Sequence, residues 1–144
     1  MHLTQQTNYA LRMLMYLAVA KGPVTIADIA ERHAISRNHL VKIAHKLGRQ
    51  GYVRSRQGRG GGIELAADPE KVSVGEIVRL TEDNMELVEC FSPTETDISC
   101  KLKSFCRLRK TFVRALDAFM EELDSVSLAD ISSNPIQIRK ALGL

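Results

Sequence analysis

The most constraining feature of this 144-residue chain is a series of helix and strand signals between residues 22 and 65. Gly22 and Pro23 end one helical pattern, and Thr25 and Ser36 stand where the N-caps of two further helices are expected. Two short alternating segments follow, YVRSR and GIELA, and the glycine-rich QGRGGG between them is typical of a β-hairpin. Two helices joined by a short turn and followed by a hairpin predict a winged helix-turn-helix.

The flanking segments are predicted to be helical, which makes the fold class mainly α. Apolar residues at helical spacing indicate helices over residues 3–21 and 103–123, with a short one after Ser73. The tail is expected to form a short helix and then a loose end. The predicted division is a winged helix-turn-helix DNA-binding domain over 1–80, a cysteine loop over 81–106, and a long helix with the C-terminal tail over 107–144.

The long helix carries an apolar stripe that predicts dimerisation. At about 1.5 Å per residue it would span about 30 Å, more than a chain of this size covers with its own residues. An uncovered apolar face of this kind marks a contact with a second copy. The predicted dimerisation residues are Phe112, Leu116, Phe119 and Leu123.

Charge is unevenly distributed along the sequence. Residues 1–67 carry a net charge of +7 and residues 68–144 carry −4, within a total of +3. A basic half that contains a winged helix-turn-helix indicates double-stranded DNA as a partner. Uneven solvation would explain the charge alone, but not the charge together with the order of the elements.

Two regions of the basic half carry side chains suited to DNA. The third helix would fit the major groove, where Arg37 can bind guanine through two hydrogen bonds and Asn38 can pair with adenine. Glycines at the hairpin tip permit close approach, so that an arginine such as Arg59 can enter a narrow minor groove. The predicted DNA contacts are Thr25, Ser36, Arg37, Asn38, His39, Lys42, Arg54, Arg56, Arg59 and Gly60.

All three cysteines, Cys90, Cys100 and Cys106, lie in the cysteine loop, with nine and five residues between them. Grouped thiolates can bind one metal centre, but the sequence lacks the paired C-x-x-C knuckles of zinc sites, and the wide spacing suits a bulkier iron–sulfur centre. Two alternatives stay open: the cysteines could be small apolar core residues, or two of the thiols could form a redox disulfide. No C-x-x-C or Cys–His–Asp arrangement supports a thiol oxidoreductase, so the chain is not expected to be an enzyme.

Several segments resemble the Rrf2 family of bacterial transcription regulators over nearly the whole chain. They are LTQQTNYALRMLMYLA, SRNHLVKIAHKL, RQGRGGGIEL, VGEIVRLTE and the cysteine-bearing ECF…C…CRLRK. The resemblance implies a homodimer of winged-helix subunits whose long helix crosses to the partner subunit. It also implies that Cys90, Cys100 and Cys106 hold an iron–sulfur cluster, of the 4Fe–4S rather than the 2Fe–2S type, which makes residues 81–106 a cluster-binding loop.

Within that family, SRNHLVKI and CRLRK are most similar to nitric-oxide-sensing repressors. This resemblance implies a repressor of a palindromic operator whose DNA affinity is controlled by the cluster, with nitric oxide as the signal. Iron-responsive regulators of the family share QTNYA and ECF with this chain and are the alternative. A metal-free regulator with a thiol redox switch is a further alternative.

Two positions depart from the patterns of relatives. Asn8 stands where some relatives use an Asp of the partner subunit as the fourth cluster ligand, and a neutral amide binds iron more weakly than a carboxylate. Asn8 of the partner subunit is therefore a secondary candidate. Arg109 stands where the family's cluster-assembly regulators have a His, which makes that branch a poorer match.

The sequence is expected to belong to a cytoplasmic protein with no membrane partner. Ala18-Val19-Ala20 resembles a signal-peptidase site, but the apolar run before it is short and is interrupted by Arg12. No window approaches the roughly 18 apolar residues that a membrane-spanning helix needs.

Overall fold

The computed structural model of the chain describes residues 2–91, 100–102 and 104–144, except the side chain of Glu89. Its elements are α1 (Gln5–Val19), α2 (Ile26–His33), α3 (Arg37–Arg49), β1 (Val53–Arg56), β2 (Gly62–Leu65), α4 (Val74–Thr81), a 3₁₀ turn (Glu89–Phe91), α5 (Arg107–Ser125), α6 (Leu128–Ile131) and α7 (Pro135–Leu142). The predicted fold class, mainly α with a winged helix-turn-helix and a small hairpin, is confirmed. No helix in the described ranges is long and apolar enough to cross a membrane.

The long helix begins later than predicted. Cys106 is its N-cap and the first helical residue is Arg107. The predicted start at residue 103 lies outside the described residues, as does most of the irregular stretch predicted around Pro93.

The start of α2 is fixed by the capping box that its sequence indicates. Thr25 Oγ accepts the Asp28 amide at 3.1 Å, and Asp28 Oδ2 accepts the Thr25 amide at 3.3 Å. Ser36 occupies the N-cap position of α3, but its hydroxyl makes no capping hydrogen bond. Its backbone angles, φ −57° and ψ 127°, differ from the extended geometry of Thr25. The predicted N-cap position of Ser36 is therefore confirmed, but the residue holds that position without a side-chain hydrogen bond.

The wing formed by β1 and β2 is anchored to the helix-turn-helix. The strands are antiparallel, with Arg56 opposite Gly62. Val24, just before α2, pairs with Ile63 of β2 through two backbone hydrogen bonds of 2.9 and 2.8 Å. Gly62 permits this approach, because a Cβ there would lie 2.4 Å from the Val24 carbonyl oxygen. The position of the wing relative to α2 is thus set by backbone contacts.

The main hydrophobic core lies between α1, α2, α3 and the wing, with contributions from the C-terminal part of the chain. Its largest fully buried side chains include Tyr16, Met13, Leu14, Ile29, Leu40, Leu47, Ile77 and Leu128. Leu128 belongs to α6, so residues beyond 107 complete the core of the DNA-binding unit. Val41 of α3 is 44% exposed although it is apolar, because α3 turns only one side to the core.

A second, smaller core joins α4 to α5. Its buried residues and some of their partly buried neighbours are Val74, Val78, Met120, Leu116, Phe119 and Leu123. Three of the four predicted dimerisation residues thus pack partly within their own chain and remain partly exposed. The cause is α4, whose apolar face covers that side of α5.

The C-terminal tail forms a second short helix, and the predicted loose end is wrong. Asn134 caps α7 by accepting a backbone amide at 3.2 Å, and Pro135 occupies the first turn. The far end of α7 is held by Arg32 of α2, whose Nη1 donates to the carbonyls of Leu142 and Gly143 at 2.5 and 2.7 Å. The tail therefore packs back onto the helix-turn-helix.

His33, at the end of α2, is held in its neutral form. The Arg12 guanidinium can only donate hydrogen bonds, so its 3.1 Å contact requires that His33 Nδ1 accept. Nε2 then carries the proton in a buried position, without a partner among the described residues. Burial, and to a lesser degree the charge of Arg12, holds the pKa of His33 below its ordinary value of 6.5.

Acidification is therefore expected to destabilise the fold through His33. Below pH 6.5 the unfolded chain takes up a proton that the folded chain does not, so the free energy of unfolding falls as the pH decreases. Urea unfolding at pH 7 and at about pH 5.5 measures this loss. His33→Gln should reduce the difference, whereas His45→Gln, at an exposed position of α3, should keep it. Equal urea midpoints of the unsubstituted chain at both pH values would contradict the assignment.

Candidate functional site

The predicted DNA contacts of α3 lie together at its exposed N-terminal end. Arg37, Asn38, His39 and Lys42 are all exposed, and the first turn of α3 contains no acidic residue. The positive end of the helix dipole therefore faces outward beside cationic side chains. Thr25 is exposed as well, but its hydroxyl is engaged in the capping box of α2. The arrangement suits phosphates and base edges of a major groove.

A cleft of about 650 Å³ lies between this face and the N-terminal turn of α1. Its lining includes Gln5, Gln6, Tyr9, His39, Lys42 and Lys46. Tyr9 and His39 stack there, with ring centroids 6.3 Å apart and planes inclined by 29°. Sequence reasoning missed this grouping, because only the packing of α1 against α3 brings its members together.

The arginines of the wing fall into two groups. Arg54 Nε lies 2.7 Å from one Glu64 carboxylate oxygen, and Arg56 Nη1 lies 3.8 Å from the other. Both cations are thus paired across the hairpin, although their side chains remain largely exposed. Arg59 lies at the exposed tip beside Gly60, whose φ of +79° falls in the left-handed region that favours glycine.

Two of the three cysteines are tied to the N-terminus of α5. Cys106 caps the helix, and its Sγ accepts the Arg109 amide at 3.3 Å. Arg109 Nε donates to the Cys90 carbonyl, also at 3.3 Å, and its guanidinium lies 5.7 Å from the centroid of the Phe91 ring. Arg109 therefore joins the 3₁₀ turn that carries Cys90 to the helix end that Cys106 caps.

The three thiols are free, but the structure does not assemble them into one site. Cys90 and Cys106 are half-buried and Cys100 is exposed. Among the described residues, no three His, Cys, Asp or Glu side chains are grouped to hold a metal ion. Residues 92–99 and 103, which separate the cysteines, lie outside that description.

The chemistry of the donor set fits an iron–sulfur centre. Thiolates are the protein ligands of such clusters, and all three cysteines of the chain are free thiols. Cys106 accepts a backbone amide of α5, which places its sulfur at the N-terminus of that helix. Lys101 and Arg107 are exposed near Cys100 and Cys106 in the chain and would offset the negative charge of a cluster.

Asn8 is exposed on α1 and lines a shallow cavity with Leu3, Thr7, Leu11 and Arg12. None of the three cysteines lines this cavity in the described part of the chain. The described part of one subunit therefore places Asn8 at a cavity that the thiols do not share.

Comparisons with known proteins agree with this architecture. A family model described as "Rrf2: Iron-dependent Transcriptional regulator" matches residues 3–134. The HTH-type transcriptional regulator NsrR of Bacillus licheniformis is 43% identical over 144 residues, which cover 99% of each chain. Two solved structures are similar over most of their length: CymR, the global cysteine regulator of B. subtilis (27% identity, TM-score 0.73, 92% of this chain and 97% of that one), and IscR of T. potens (26% identity, TM-score 0.74, 93% and 88%).

The helix-turn-helix, the anchored wing and these relatives identify a DNA-binding transcriptional regulator rather than an enzyme. The resemblance noted in the sequence to the Rrf2 family is confirmed, and the chain is similar to regulators named NsrR. The chain belongs to the Rrf2 family of transcriptional regulators.

Proposed function

We propose that this regulator is a cytoplasmic repressor that binds a palindromic operator as a homodimer, with an affinity controlled by an iron–sulfur cluster that senses nitric oxide. In this proposal residues 1–80 bind DNA, residues 81–106 hold the cluster, and residues 107–144 dimerise. The observation that carries it is Arg109, which joins the Cys90 turn to the Cys106-capped end of α5. A change in the cysteine loop therefore acts directly on the long helix.

Cys90, Cys100 and Cys106 would hold the cluster, in a 4Fe–4S form, and Asn8 of the partner subunit is a secondary candidate for the fourth position. Bound there, the cluster would supply iron that reacts with nitric oxide. Two contacts within the chain would transmit the effect of this reaction. Arg109 holds the loop to α5 through the Cys90 carbonyl, and α4 packs against α5 and connects it to the main core. A dimer reads two half-sites a fixed helical distance apart, so a small change in α5 costs operator affinity.

On the DNA side, Arg37 and Asn38 would read bases, with Ser36, His39 and Lys42 beside them on α3. Their exposure at a helix end without acidic neighbours supports this role. Arg59 and Gly60 at the wing tip would enter the minor groove. Thr25, Arg54 and Arg56 would contact the phosphate backbone.

Glu64→Gln is expected to strengthen DNA binding. The substitution keeps the shape of the side chain but removes the negative charge that pairs with Arg54 and Arg56. Both cations would then be free to neutralise phosphates, which should raise affinity and steepen the dependence of log Kd on log salt by about 0.9 for each added contact. Titrations of a fluorescent operator at several salt concentrations measure both quantities. Glu70→Gln, an exposed carboxylate outside the wing, is the control, and an unchanged salt slope for Glu64→Gln would contradict the proposed wing contacts.

The proposed dimer contact is formed by the outer side of α5 and by the residues just before that helix. Leu102, Phe105 and Leu108 are 54%, 67% and 62% exposed, an apolar group that the described part of the chain does not cover. Phe112, the fourth member of the predicted stripe, is one turn further along α5 and partly buried. Leu102, Phe105 and Leu108 therefore extend the apolar stripe beyond the part of α5 that α4 covers.

Leu108→Glu is expected to convert dimers into monomers, because a carboxylate placed in an apolar contact would be buried without a partner. Sedimentation velocity measures the change in mass. Leu108 is a better probe than Leu116, which packs against the α4–α5 core, so that its substitution would also disturb contacts within the subunit. Ile136→Glu, at a 79% exposed position of α7, is the matched control and should stay dimeric. A dimeric Leu108→Glu protein would place the contact elsewhere.

An iron-responsive repressor is the second candidate, because the matching family is described as iron-dependent. In that case loss of the cluster itself, rather than its reaction with nitric oxide, would be the signal. A metal-free thiol switch would use the same cysteine loop without iron.

Operator titrations of anaerobically purified protein test the proposal. Iron and sulfide content and visible absorbance establish whether a cluster is present. Nitric oxide is then added to one sample and an iron chelator to another. A loss of operator affinity at nitric oxide concentrations stoichiometric with iron, before chelation has an effect, supports the proposal. A response to the chelator alone favours the iron-responsive candidate. A colourless protein that responds only to oxidants favours the thiol switch.

A further inference from the structure

Glu82, the residue that follows α4, binds the first turn of α1. The amide and hydroxyl of Thr4, the N-cap of α1, lie 2.7 and 3.0 Å from Glu82 Oε1, and the Thr7 hydroxyl makes a still closer contact with the same oxygen. Thr4 Oγ also accepts the Thr7 amide at 3.4 Å. One carboxylate oxygen therefore collects three donors from α1, across at least 75 positions of sequence.

A buried pair of hydroxyls lies behind this carboxylate. Thr7 and Thr81 are 0% and 3% exposed, and their Oγ atoms are 2.7 Å apart. A hydroxyl has one proton to donate, and Thr7 gives its proton to Glu82. Thr81 must therefore donate either to Thr7 or to the Ile77 carbonyl, which is also 2.7 Å away. The three donors to Glu82 all meet at Oε1, which accepts them more strongly when the carboxylate is ionised.

The charge of Glu82 is maintained at neutral pH. Burial raises its pKa, but the hydrogen bonds from Thr7 and Thr4 together lower it more, so the pKa lies below the ordinary value. Hydrogen bonds to an ionised acceptor are roughly twice as strong as those between neutral groups. The Glu82 contacts are thus a strong attachment between α1 and the end of α4.

The two helices that Glu82 joins, α4 and α1, each lie next to a functional part of the molecule. On one side, α4 is held to α5 by Arg79, which donates to both carboxylate oxygens of Asp124 at 2.5 and 2.6 Å. The cysteine loop begins here, and residues 84–87 line a cavity of about 320 Å³ together with residues 2–4. On the other side, the first turn of α1 borders the cleft where Tyr9 stacks on His39.

We infer that Glu82 is a positioning residue that holds the first turn of α1 against α4. In this way it transmits movement of the cysteine loop to the exposed N-terminal end of α3, where the predicted DNA contacts lie. The inference rests on the proposed function, because it assumes that the cysteine loop controls operator affinity. It names a route through one subunit: from the loop to Glu82, from Glu82 to α1, and from α1 to α3.

The positioning role is tested without the cluster by hydrogen exchange. Glu82→Gln keeps the shape of the side chain but removes its charge, and Glu70→Gln is the matched control at an exposed position outside the loop and its cavity. The Thr4 amide, which donates to Glu82, should exchange at least about tenfold faster in Glu82→Gln. The Val24 amide, bonded to Ile63, should be unchanged and serves as the internal reference. Unchanged exchange at Thr4 would overturn the inference.

The coupling role is tested by the ratio of operator Kd values with and without nitric oxide. We expect Glu70→Gln to keep the ratio of the unsubstituted protein, and Glu82→Gln to reduce it at least about twofold, the lower end of the effect that a single substitution has on coupling between sites. A purely structural role would lower the urea midpoint and leave this ratio unchanged, which would overturn the inference. If Glu82→Gln does not fold, Thr7→Val removes one donor while keeping the buried volume, and the same ratio decides.

The two proposals fail in different ways. An unsubstituted protein whose operator affinity responds to neither nitric oxide nor iron loss overturns the proposed function and, with it, the coupling role of Glu82. Hydrogen exchange at the Thr4 amide alone then decides whether Glu82 positions the first turn of α1. A responsive unsubstituted protein with an equally responsive Glu82→Gln variant overturns the inference and leaves the proposed function intact.

Discussion

Replacing Cys106 with serine is expected to abolish retention of iron and sulfide after anaerobic reconstitution, while the fold is preserved. Cys106 is the N-cap of α5 and accepts the Arg109 amide there. Serine is among the preferred N-cap residues, so the substitution keeps this structural role and removes only the thiolate. Iron and sulfide analysis measures the loss, and circular dichroism with urea unfolding verifies the fold.

Cys90→Ser and Cys100→Ser should give the same loss, because three thiolates leave no spare ligand. Asn8→Ala is the informative comparison, since a neutral amide is a poor ligand for iron and the variant should still take up a cluster. The ligand assignment is wrong if Asn8→Ala cannot be reconstituted while Cys100→Ser can.

Replacing Arg37 with alanine is expected to weaken operator binding by about 1–3 kcal/mol, roughly 5- to 150-fold, without unfolding the protein. The side chain is exposed in the first turn of α3, where it can reach the base edges of a major groove. Arg59→Ala at the wing tip should act in the same direction. Fluorescence anisotropy with operator and with a scrambled duplex, at matched salt, separates loss of base reading from loss of phosphate contacts.

The matched control is Lys140→Ala, which removes an exposed cation from α7, away from α3 and the wing. Its operator affinity should remain within experimental error of that of the unsubstituted protein. Equal affinities for Arg37→Ala, Arg59→Ala and Lys140→Ala would contradict the assignment of α3 and the wing as the DNA-reading elements.

Sequence patterns predicted those parts of the fold that local chemistry dictates. The N-cap of α2 at Thr25, the hairpin around QGRGGG and the helix after Ser73 all depend on residues within a few positions of one another. The C-terminal helix was missed although local signals exist: Asn134 and Pro135 at its start and Gly143 just after its end.

The remaining differences arise from tertiary packing, which no local pattern specifies. The stripe of Leu116, Phe119 and Leu123 reads as an uncovered face until α4 is known to lie against it. Likewise, Glu82 appears in the sequence as an ordinary surface carboxylate after a helix, and only the fold brings it to Thr4 and Thr7.

The attachment of α7 to α2 has a consequence for synthesis of the protein. Arg32 binds the Gly143 carbonyl across 111 positions of sequence, and α6 supplies Leu128 to the main core. Chains emerge from the ribosome at about 5–20 residues per second, so these partners arrive several seconds after α2 has been made. A nascent chain therefore exposes an incomplete DNA-binding unit until these segments have been made. Competence to bind DNA should appear only when residues 128–143 have left the exit tunnel.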